Sequence, residues 1–306
     1  MSGFQRYIHT PASPLPEHHQ TFLARGEDII PFLEAPEFRL TNPWSLFFRS
    51  VLTQLRDESA FSGKQMHELG VGDGRNIFHM GDELKNPAGI DAHMPMLQLA
   101  AENLAHLKFP VDLYFGDAVA FVKQPGEAWD GYVAICLPQT PPQETSENKL
   151  VGTFRSENPH LEPYAEWKTS GLQLVAATLG ELVKRAKHDL RVLLLLSGRV
   201  PTAERETMIH STGWAIRRVL ATNESDIAQQ SAYVSLAYTQ VYADSSEHLF
   251  WERTATGVLA PIDPIEAEKR RLAAYNSSTN EHPNVYHHLY VYLLEPKGRT
   301  QALVLN

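Results

Sequence analysis

From Gln65 onward the sequence alternates between short strand-like runs and amphipathic helical runs. Such alternation predicts a parallel sheet, because each helix returns the chain to the edge at which the next strand starts. The strand-like runs are, in chain order, MHEL, AGIDA, VDLYFGDA, WDGYVAICLP, DLRVLLLLSG, GWAIRRVLA and VYHHLYVYLLE. The fifth run is apolar enough to be buried on both faces of the sheet. The predicted fold class is therefore α/β, with a doubly wound and mostly parallel sheet.

The first 60 residues do not join this alternation. Their first 40 positions are rich in Pro, His and Phe without a clean period, which predicts an irregular arm followed by short helices. The run NPWSLFFRSVLTQLRDESAF then predicts a helix, capped by Asn42 and with Pro43 in its first turn. We expect residues 1–60 to cover the site of an α/β domain that spans residues 61–306.

Two polar segments interrupt the α/β domain. Residues 138–168 follow the carboxyl end of the fourth strand, which is where open α/β sheets bind ligands. A loop of this length predicts a functional lid. Residues 222–284 form a second insertion, with an alternating apolar run at 233–242 and a charged helix at 265–276.

Charge and cysteine content restrict the partners of the chain. The formal net charge is −9, and the basic runs LVKRAK and EKRR fit exposed helix faces, which argues against a nucleic-acid partner. A single cysteine excludes disulfides within the chain and a cysteine-rich zinc site. The N-terminus lacks the apolar core of a signal peptide, and no apolar run is long enough to span a bilayer. We expect a cytoplasmic protein that acts on a small molecule and not at a membrane, in an oligomeric state that the sequence leaves open.

The turn after the first strand-like run reads ELGVGDG, with Gly70, Gly72 and Gly74 at alternate positions. Glycine lets a ligand approach bare backbone, and the following helix offers unpaired N–H groups. A dinucleotide-binding fingerprint would require glycine at position 75, which is Arg75. The observed spacing, with Glu68 two residues before the first glycine, suits S-adenosylmethionine (SAM), whose ammonium group requires a nearby carboxylate. A tight strand-to-helix turn without a ligand is the structural alternative.

Two further acids follow the next two strand-like runs. Asp91 ends the second run and is expected to accept the ribose hydroxyls of SAM. Asp117 follows the third run and is expected to accept the adenine amino group. The alternative is that both carboxylates only cap the helices that follow them. The predicted cofactor-binding set also takes in neighbours of these positions and of the fourth strand, namely Asn76, Ala92, Ala118, Leu137 and Pro138.

Six segments recur in the order of one known family: ELGVGDG, GIDAHMPMLQLAAENL, YVAICLPQ, SGLQLVA, LLLLSGR and ESDIAQQSAYVSLAYTQ. Through them, residues 65–295 resemble the methyltransferase domain of methionine S-methyltransferases. The resemblance implies a seven-stranded, Rossmann-like SAM-dependent methyltransferase sheet whose last strand runs antiparallel. It also implies a small amino acid as the acceptor, attacked at its thioether sulfur. The loop after CLPQ reads TPPQETSEN, which departs from the asparagine-rich loop of the family.

Methyl transfer from a sulfonium is an in-line displacement, so we expect alignment of the reacting atoms rather than a catalytic triad. The predicted catalytic set is Gln139, Tyr164 and Cys136. Gln139 would orient the nucleophile through its amide or neighbouring carbonyls, whereas Cys136 fits a packed residue of the same turn better than a nucleophile. Tyr164 and Trp167 are candidates to face the sulfonium by cation–π contact, or else they pack the lid. The histidine pairs at 18–19 and 287–288 lack metal-ligand spacing, so no metal site is predicted.

Three functions fit these residues. The first is methyl transfer from SAM to a small amine, amino acid or thioether. The second uses the same site without an acceptor: the α-amine of SAM attacks its own γ-carbon, which forms azetidine-2-carboxylate and releases methylthioadenosine. The third is a SAM-binding protein without catalysis, which the intact glycines and strand-end acids argue against.

Overall fold

The computed structural model describes residues 5–7, 15–25, 28–35, 43–80, 84–107, 110–124, 129–139, 158–222, 228–229, 241–242, 244–276 and 284–298. The strands are β1 Gln5–Arg6, β2 His19–Arg25, β3 Asp28–Glu34, β4 Lys64–Leu69, β5 Leu84–Asp91, β6 Asp112–Phe115, β7 Tyr132–Ile135, β8 Arg191–Ser197, β9 Trp214–Ala221, β10 Ala228–Gln229, β11 Trp251–Arg253, β12 Leu259–Pro261, β13 Tyr286–His287 and β14 Leu289–Pro296. The helices are α1 Pro43–Asp57, α2 Arg75–Met80, α3 Met94–Leu104, α4 Ala118–Val122, α5 Gln173–Val183, α6 Thr202–Ser211 and α7 Pro264–Asn276. A 3-10 helix covers Pro159–Trp167.

The central sheet has the strand order β1-β6-β5-β4-β7-β8-β14-β9. Strands β4 to β8 pair in parallel, whereas β14 runs antiparallel to both β8 and β9. From β6 to β9 this is the seven-stranded, mostly parallel sheet of the Rossmann-like SAM-dependent methyltransferase fold, including its antiparallel last strand. The predicted fold class is confirmed. The two residues of β1 add an eighth strand beside β6.

Strand β8 lies between β7 and β14 and is apolar on both faces. Leu194 and Leu196 join the core cluster that includes α4, α5 and α6, whereas Leu193 and Leu195 join the cluster that includes α1, α2 and α3. The strand is therefore enclosed by two helical layers, as its unbroken apolar run predicts. Because the helices cover both faces, the carboxyl ends of the parallel strands remain available at one edge.

The N-terminal arm differs from the predicted irregular arm with short helices. Strands β2 and β3 pair as an antiparallel hairpin. One face of the hairpin packs on the domain through Phe32, whose ring centroid lies 5.4 Å from that of Phe78 on α2. The other face leaves Phe22 and Ile29 exposed, at 62% and 74%. The prediction was wrong because apolar residues on both faces hide the two-residue period of a strand.

The observed boundaries of several other elements can be compared with the predicted ones. Helix α1 begins at Pro43 as predicted, whereas Asn42 lies outside the described residues. Helix α7 confirms the charged helix of the second insertion, but the run at 233–242 is described only at its last two residues. Of the lid at 138–168, residues 140–157 lie outside the described part, and the 3-10 helix follows them.

The sequence analysis also missed a helix and a second sheet. Helix α6 follows β8, and a second sheet has the order β10-β13-β11-β12. Helix α6 escaped notice because it buries only Arg205, Met208 and Ile209, so its apolar stripe is short. In the described part of the chain, no helix combines the length and apolar character needed to cross a membrane.

One buried amide fixes helix α3 to the hairpin and to the turn after β4. Asn103 donates from Nδ2 to the carbonyl oxygens of Leu33, at 2.8 Å, and Asp73, at 2.9 Å. Its Oδ1 accepts from the N–H of Leu33 at 2.8 Å, and the residue is 1% exposed. Removing the amide therefore leaves buried backbone groups without partners.

We expect Asn103→Ala to lower the free energy of unfolding by about 1–3 kcal/mol, the cost of leaving buried polar groups unpaired. Denaturant unfolding measures the loss, and hydrogen exchange should become faster in β3. Gln98→Ala, at a partly buried position of the same helix, is the control and should stay within about 0.5 kcal/mol of the wild type. Equal losses in the two variants would contradict the role of Asn103.

Candidate functional site

The turn between β4 and α2 is bound to the ends of two other strands. The N–H groups of Gly70 and Val71 both donate to the carbonyl of Ile90 in β5, at 2.9 and 3.0 Å. Gly70 has a φ of +83°, and a Cβ at this position would lie 2.8 Å from the carbonyl oxygen of Cys136. Glycine is therefore required here both by the backbone conformation and by the close approach of the turn after β7.

Asp91, the last residue of β5, binds two backbone N–H groups. Its Oδ2 accepts from Gly72 and its Oδ1 from His93, both at 2.8 Å. It thereby joins the glycine turn to the start of α3, with Ala92 between the carboxylate and the helix. Burial raises the pKa of Asp91, and the backbone donors oppose this shift. A carboxylate oxygen accepts more than one hydrogen bond, so both oxygens retain acceptor capacity for a ligand.

Glu68 lies at the end of β4 and is buried. Its Oε1 accepts from Nδ2 of Asn76 at 2.6 Å, whereas its Oε2 has no hydrogen-bond partner among the described residues. Oδ1 of Asn76 is also buried without a partner there. Burial raises the pKa of Glu68 to about 8, although the Asn76 amide acts in the opposite direction. Two neighbouring buried oxygens thus lack a partner among the described residues, and both are acceptors once Glu68 is ionised.

Asp117 is the third of the strand-end acids. It caps α4, which is the role that the alternative interpretation gave it. Its Oδ1 accepts from the N–H of Ala120 at 2.8 Å, and its Oδ2 accepts from Nδ2 of Asn158 at 2.8 Å. Ala118 is the first residue of α4 and is buried. Since β4, β5 and β6 are neighbours in the sheet, Glu68, Asp91 and Asp117 lie along one edge. The binding of adenine by Asp117 stays a prediction.

Arg75 stands where a dinucleotide fingerprint has glycine, and its role was missed by the sequence analysis. Its Nε donates to Asp73 at 2.8 Å, and its Nη1 donates to the hydroxyl of Ser45 at 2.7 Å. Both members of the ion pair are buried. The pair anchors α1 to the glycine turn, beside Gly74. This ion pair could have been predicted from the sequence, because Asp73 and Arg75 are separated by one glycine in a turn that is expected to be buried.

The side chain of Gln139 binds the neighbouring strand. Its Nε2 donates to the carbonyl of Leu195 at 2.7 Å, and its Oε1 accepts from the N–H of Ser197 at 2.9 Å. Both ends of the amide are thus bound to the backbone of β8, and the residue is 7% exposed. The side-chain amide is therefore occupied by β8, and an orienting role for the carbonyls beside Gln139 stays a prediction. Gln139 fixes the turn after β7 to the neighbouring strand.

The rest of that turn forms a wall beside the glycines. Burial raises the pKa of the Cys136 thiol well above its usual value, and the charge of Glu68 adds to the shift. A thiol that stays protonated is a poor nucleophile, which agrees with the interpretation of Cys136 as a packed residue of the turn. Leu137 is buried against Gly70, 3.4 Å from the position of a Cβ there, and Pro138 is exposed beyond it.

Tyr164 and Trp167 lie in the 3-10 helix that packs along α5. The ring of Tyr164 rests on Gly180, in the second half of α5. Because α5 leads back to the start of β8, Gly180 lies away from the carboxyl edge. Trp167 is buried in the core cluster beneath the same helix. Both aromatic residues therefore pack against α5, as the alternative interpretation held, and a catalytic role for Tyr164 stays a prediction.

A group of side chains near the carboxyl end of β8 was not predicted. It consists of Ser197, Arg199, His287 at the end of β13 and Trp44 on α1. Ser197 Oγ accepts from the backbone N–H and Nε of Arg199, at 3.1 and 2.7 Å. The ring centroid of Trp44 lies 5.7 Å from that of His287 and 5.7 Å from the guanidinium carbon of Arg199. The adjacent histidines had been considered only as metal ligands. Within the described residues no group of three His, Cys, Asp or Glu side chains could hold a metal ion.

The sequence matches no protein-family model and no curated protein. Similar solved structures include a SAM-dependent methyltransferase from Geobacter sulfurreducens in complex with S-adenosyl-L-homocysteine (SAH), with 14% identity, a TM-score of 0.46, and 85% of this chain and 94% of that chain covered. A SAM-dependent methyltransferase from Thiobacillus denitrificans, also with SAH, has 15% identity, a TM-score of 0.44 and coverage of 85% and 94%. Magnesium protoporphyrin IX methyltransferase from Synechocystis PCC 6803 with bound SAH has 16% identity, a TM-score of 0.39 and coverage of 59% and 80%. Similarity at this level concerns the fold, which the strand order already defines.

We expect Gly70→Ala to destabilise the protein more than Gly63→Ala. Both glycines have a positive φ, of +83° and +65°, but a Cβ at Gly63 meets no atom within 4 Å. Conformational strain alone predicts a loss of about 1–2 kcal/mol for Gly63→Ala. The contact with Cys136 should add at least about 1 kcal/mol for Gly70→Ala. Denaturant unfolding of the two variants measures the difference, and equal losses would show that the contact has no energetic effect.

Proposed function

We propose that the chain is a SAM-dependent methyltransferase acting on a small amino-acid-like acceptor, with an amine or thioether as nucleophile. The observation that carries the proposal is the pair of unpaired acceptor oxygens, Oε2 of Glu68 and Oδ1 of Asn76. An unpaired buried polar group costs about 1–3 kcal/mol, so the pair is stabilised by any ligand that supplies donors. An α-ammonium group has three N–H donors and no acceptor, which fits both oxygens.

The charge around the glycine turn supports a cationic ligand group. Beyond the effect of burial, the charges of Asp73 and Asp91 lie close enough to Glu68 to raise its pKa, and Arg75 is the cation that lowers it. An anionic group such as a pyrophosphate would meet repulsion from these acids, whereas the amino group of SAM meets attraction. The acidic surroundings therefore favour SAM over a dinucleotide, in agreement with Arg75 at the third fingerprint position.

The order of the acids along this edge of the sheet supports the contacts that we propose for the ribose and the adenine of SAM. Asp91 lies on β5, next to the strand of Glu68, and Asp117 follows β6, one strand further. Neighbouring strands are about 4.8 Å apart, so the three ends span about 10 Å. This is the scale of an extended nucleoside. We assign the amino group to Glu68 and Asn76, the ribose to Asp91 and the adenine amine to Asp117.

Methyl transfer would depend on the alignment of the nucleophile, the methyl carbon and the sulfur. SAM supplies an electrophilic methyl carbon when it is bound. The protein holds the amino-acid end at Glu68, and the contact between Gly70 and Cys136 fixes the wall formed by Leu137 and Pro138. This wall excludes water from one side of the glycine turn. Alignment and exclusion of water are the two contributions that an in-line displacement requires.

Cyclisation of SAM to azetidine-2-carboxylate remains the second candidate, since it uses the same pocket. Its nucleophile is the α-amine of SAM itself, which must lose a proton and turn toward its own γ-carbon. The pair of oxygens at Glu68 and Asn76 favours the ammonium form, which has no lone pair for attack. The pocket therefore favours methyl transfer.

We expect the purified protein to leave SAM intact when no acceptor is present, and to form SAH when a suitable small amine or thioether is added. Mass spectrometry of the nucleoside products distinguishes the candidates. Methylthioadenosine formed from SAM alone, faster than in the protein-free control, would contradict methyl transfer and establish the cyclase. Binding of SAM with no product from any acceptor would support a SAM-binding protein without catalysis.

We also expect ligand binding to release a proton from Glu68. Its pKa of about 8 keeps it mostly protonated at pH 7, and a bound ammonium favours the carboxylate. SAH, which carries the same amino group and is chemically more stable, should therefore release about one proton per molecule bound at pH 7. Its affinity should rise about tenfold per pH unit below pH 8 and level off above that value.

Calorimetry in buffers of different ionisation enthalpy measures this proton release. Glu68→Gln is the matched control, because it keeps the shape of the side chain and removes its titration. The variant should bind SAH more weakly, without the pH dependence. The same pH dependence in wild type and variant would exclude Glu68 as the group that binds the ammonium.

A further inference from the structure

His287 has a buried ring nitrogen that the site described above does not use. The side chain is 0% exposed, and its Nε2 forms no hydrogen bond with any described residue. Its Nδ1 lies 3.0 Å from the carbonyl oxygen of His288 and 3.4 Å from the hydroxyl of Ser197. Because a carbonyl oxygen can only accept, the closer contact assigns the ring proton to Nδ1. Nε2 is then an acceptor without a donor.

The surroundings of the ring keep it neutral. Burial lowers the pKa of His287 well below its usual value, and the charge of Arg199 acts in the same direction, whereas the hydrogen bond to the carbonyl of His288 opposes the shift. A neutral imidazole with its proton on Nδ1 presents a lone pair on Nε2. The ring also has a fixed orientation, because its other nitrogen is bound and Trp44 lies against it, with ring centroids 5.7 Å apart.

His287 lies at the same edge as the proposed SAM site. It is the last residue of β13, and only His288 separates it from β14. Because β14 runs antiparallel to β8 and Leu289 pairs with Ser197, His287 lies near the carboxyl end of β8. The backbone N–H of Ser197 in turn binds Gln139, in the turn that packs on Gly70. A short chain of contacts thus joins the ring to the wall of the glycine turn.

We propose that Nε2 of His287 accepts an N–H of the nucleophile, and that the methyl acceptor is therefore an amine and not a thioether. The inference rests on the proposed function and names the acceptor class of that same site. A thioether sulfur has no hydrogen to donate, so it would leave Nε2 unpaired. An amine donates its N–H to the imidazole while its lone pair remains free to meet the methyl carbon.

The step is balanced without a further reactant. The amine lone pair forms the new C–N bond, the methyl C–S bond breaks, and its electron pair stays on sulfur to give SAH. The nitrogen acquires the positive charge and afterwards loses a proton to solvent. His287 orients the N–H throughout and does not change its own protonation state.

Two substitutions of His287 separate the acceptor role of Nε2 from the packing of the ring. In His287→Gln the side-chain oxygen can reach the position of Nε2, whereas His287→Asn keeps a polar group only near the position of Nδ1. His67→Asn is the matched control, since His67 also has a buried ring nitrogen without a partner, but its ring packs on Trp129, with centroids 4.8 Å apart, before the start of β7. The probes are three amines (methylamine, ethanolamine and L-2-aminobutyrate) and three thioethers (dimethyl sulfide, 2-(methylthio)ethanol and 3-(methylthio)propionate), each with SAM.

We expect N-methylated products and no S-methylated product from the wild type. His287→Asn should lower the turnover number about 10- to 100-fold, the range for a misplaced nucleophile, with SAH affinity within about twofold of the wild type. His287→Gln should recover part of this loss, and His67→Asn should keep wild-type turnover per folded molecule. Cyclisation of SAM alone would contradict both the proposed methyl transfer and this inference, because no methyl group would then be transferred to an amine.

Three further results would overturn the inference: S-methylation of a thioether, equal turnover in His287→Asn and wild type, or intact SAM with every amine although SAH binds. A wild type that binds neither SAM nor SAH would instead refute the proposed function. Calorimetry with SAH therefore separates the two failures.

Discussion

The carboxylate of Asp91 is the interaction on which the geometry of the edge depends. It binds the N–H groups of Gly72 and His93, and the adjacent carbonyl of Ile90 binds two more N–H groups of the glycine turn. Hydrogen bonds to a charged group contribute about 1.5–3 kcal/mol each, roughly twice the neutral value. The turn is thereby held against the end of β5, and the contact of Gly70 with Cys136 fixes it to the turn after β7 as well. Displacing Asp91 would move three strand ends at once.

The acids at this edge of the sheet lower the stability of the folded protein. Burial raises the pKa of Glu68, Asp73 and Asp91, which means that their ionised forms are less favourable in the folded protein than in the unfolded chain. For Glu68 the sign is clear: the fold is favoured while the group is protonated, and this contribution is lost as the pH rises from its usual value toward about 8. Arg75 forms an ion pair with Asp73, which offsets the cost of burying that carboxylate. Oε2 of Glu68 has no such partner among the described residues. A cationic ligand removes this cost, so binding and stability are coupled at one residue.

Sequence patterns predicted the fold better than the roles of side chains. The apolar run of β8 and the alternation after Gln65 determine the sheet, because burial on both faces leaves few other arrangements. The positions of Glu68, Asp91 and Asp117 follow from the same alternation, since acids that end parallel strands meet at one edge. The side-chain contacts of Gln139 with β8 and of Tyr164 with Gly180 could not be predicted, because they join positions far apart in the chain. The hairpin β2–β3 was missed for a local reason, the apolar residues on both of its faces, and His287 was missed because only packing reveals an unpaired nitrogen.

The most direct test of the account is hydrogen exchange of the wild-type protein with and without SAH. If the edge binds the nucleoside as proposed, exchange should slow in the glycine turn at 70–74, at 91–93 after β5, and at 117–120 at the start of α4. Helix α7, which lies in the second insertion, should be unaffected. Unchanged exchange at all three segments under saturating SAH, or protection confined to other parts of the chain, would contradict the central claim that these strand ends form the site.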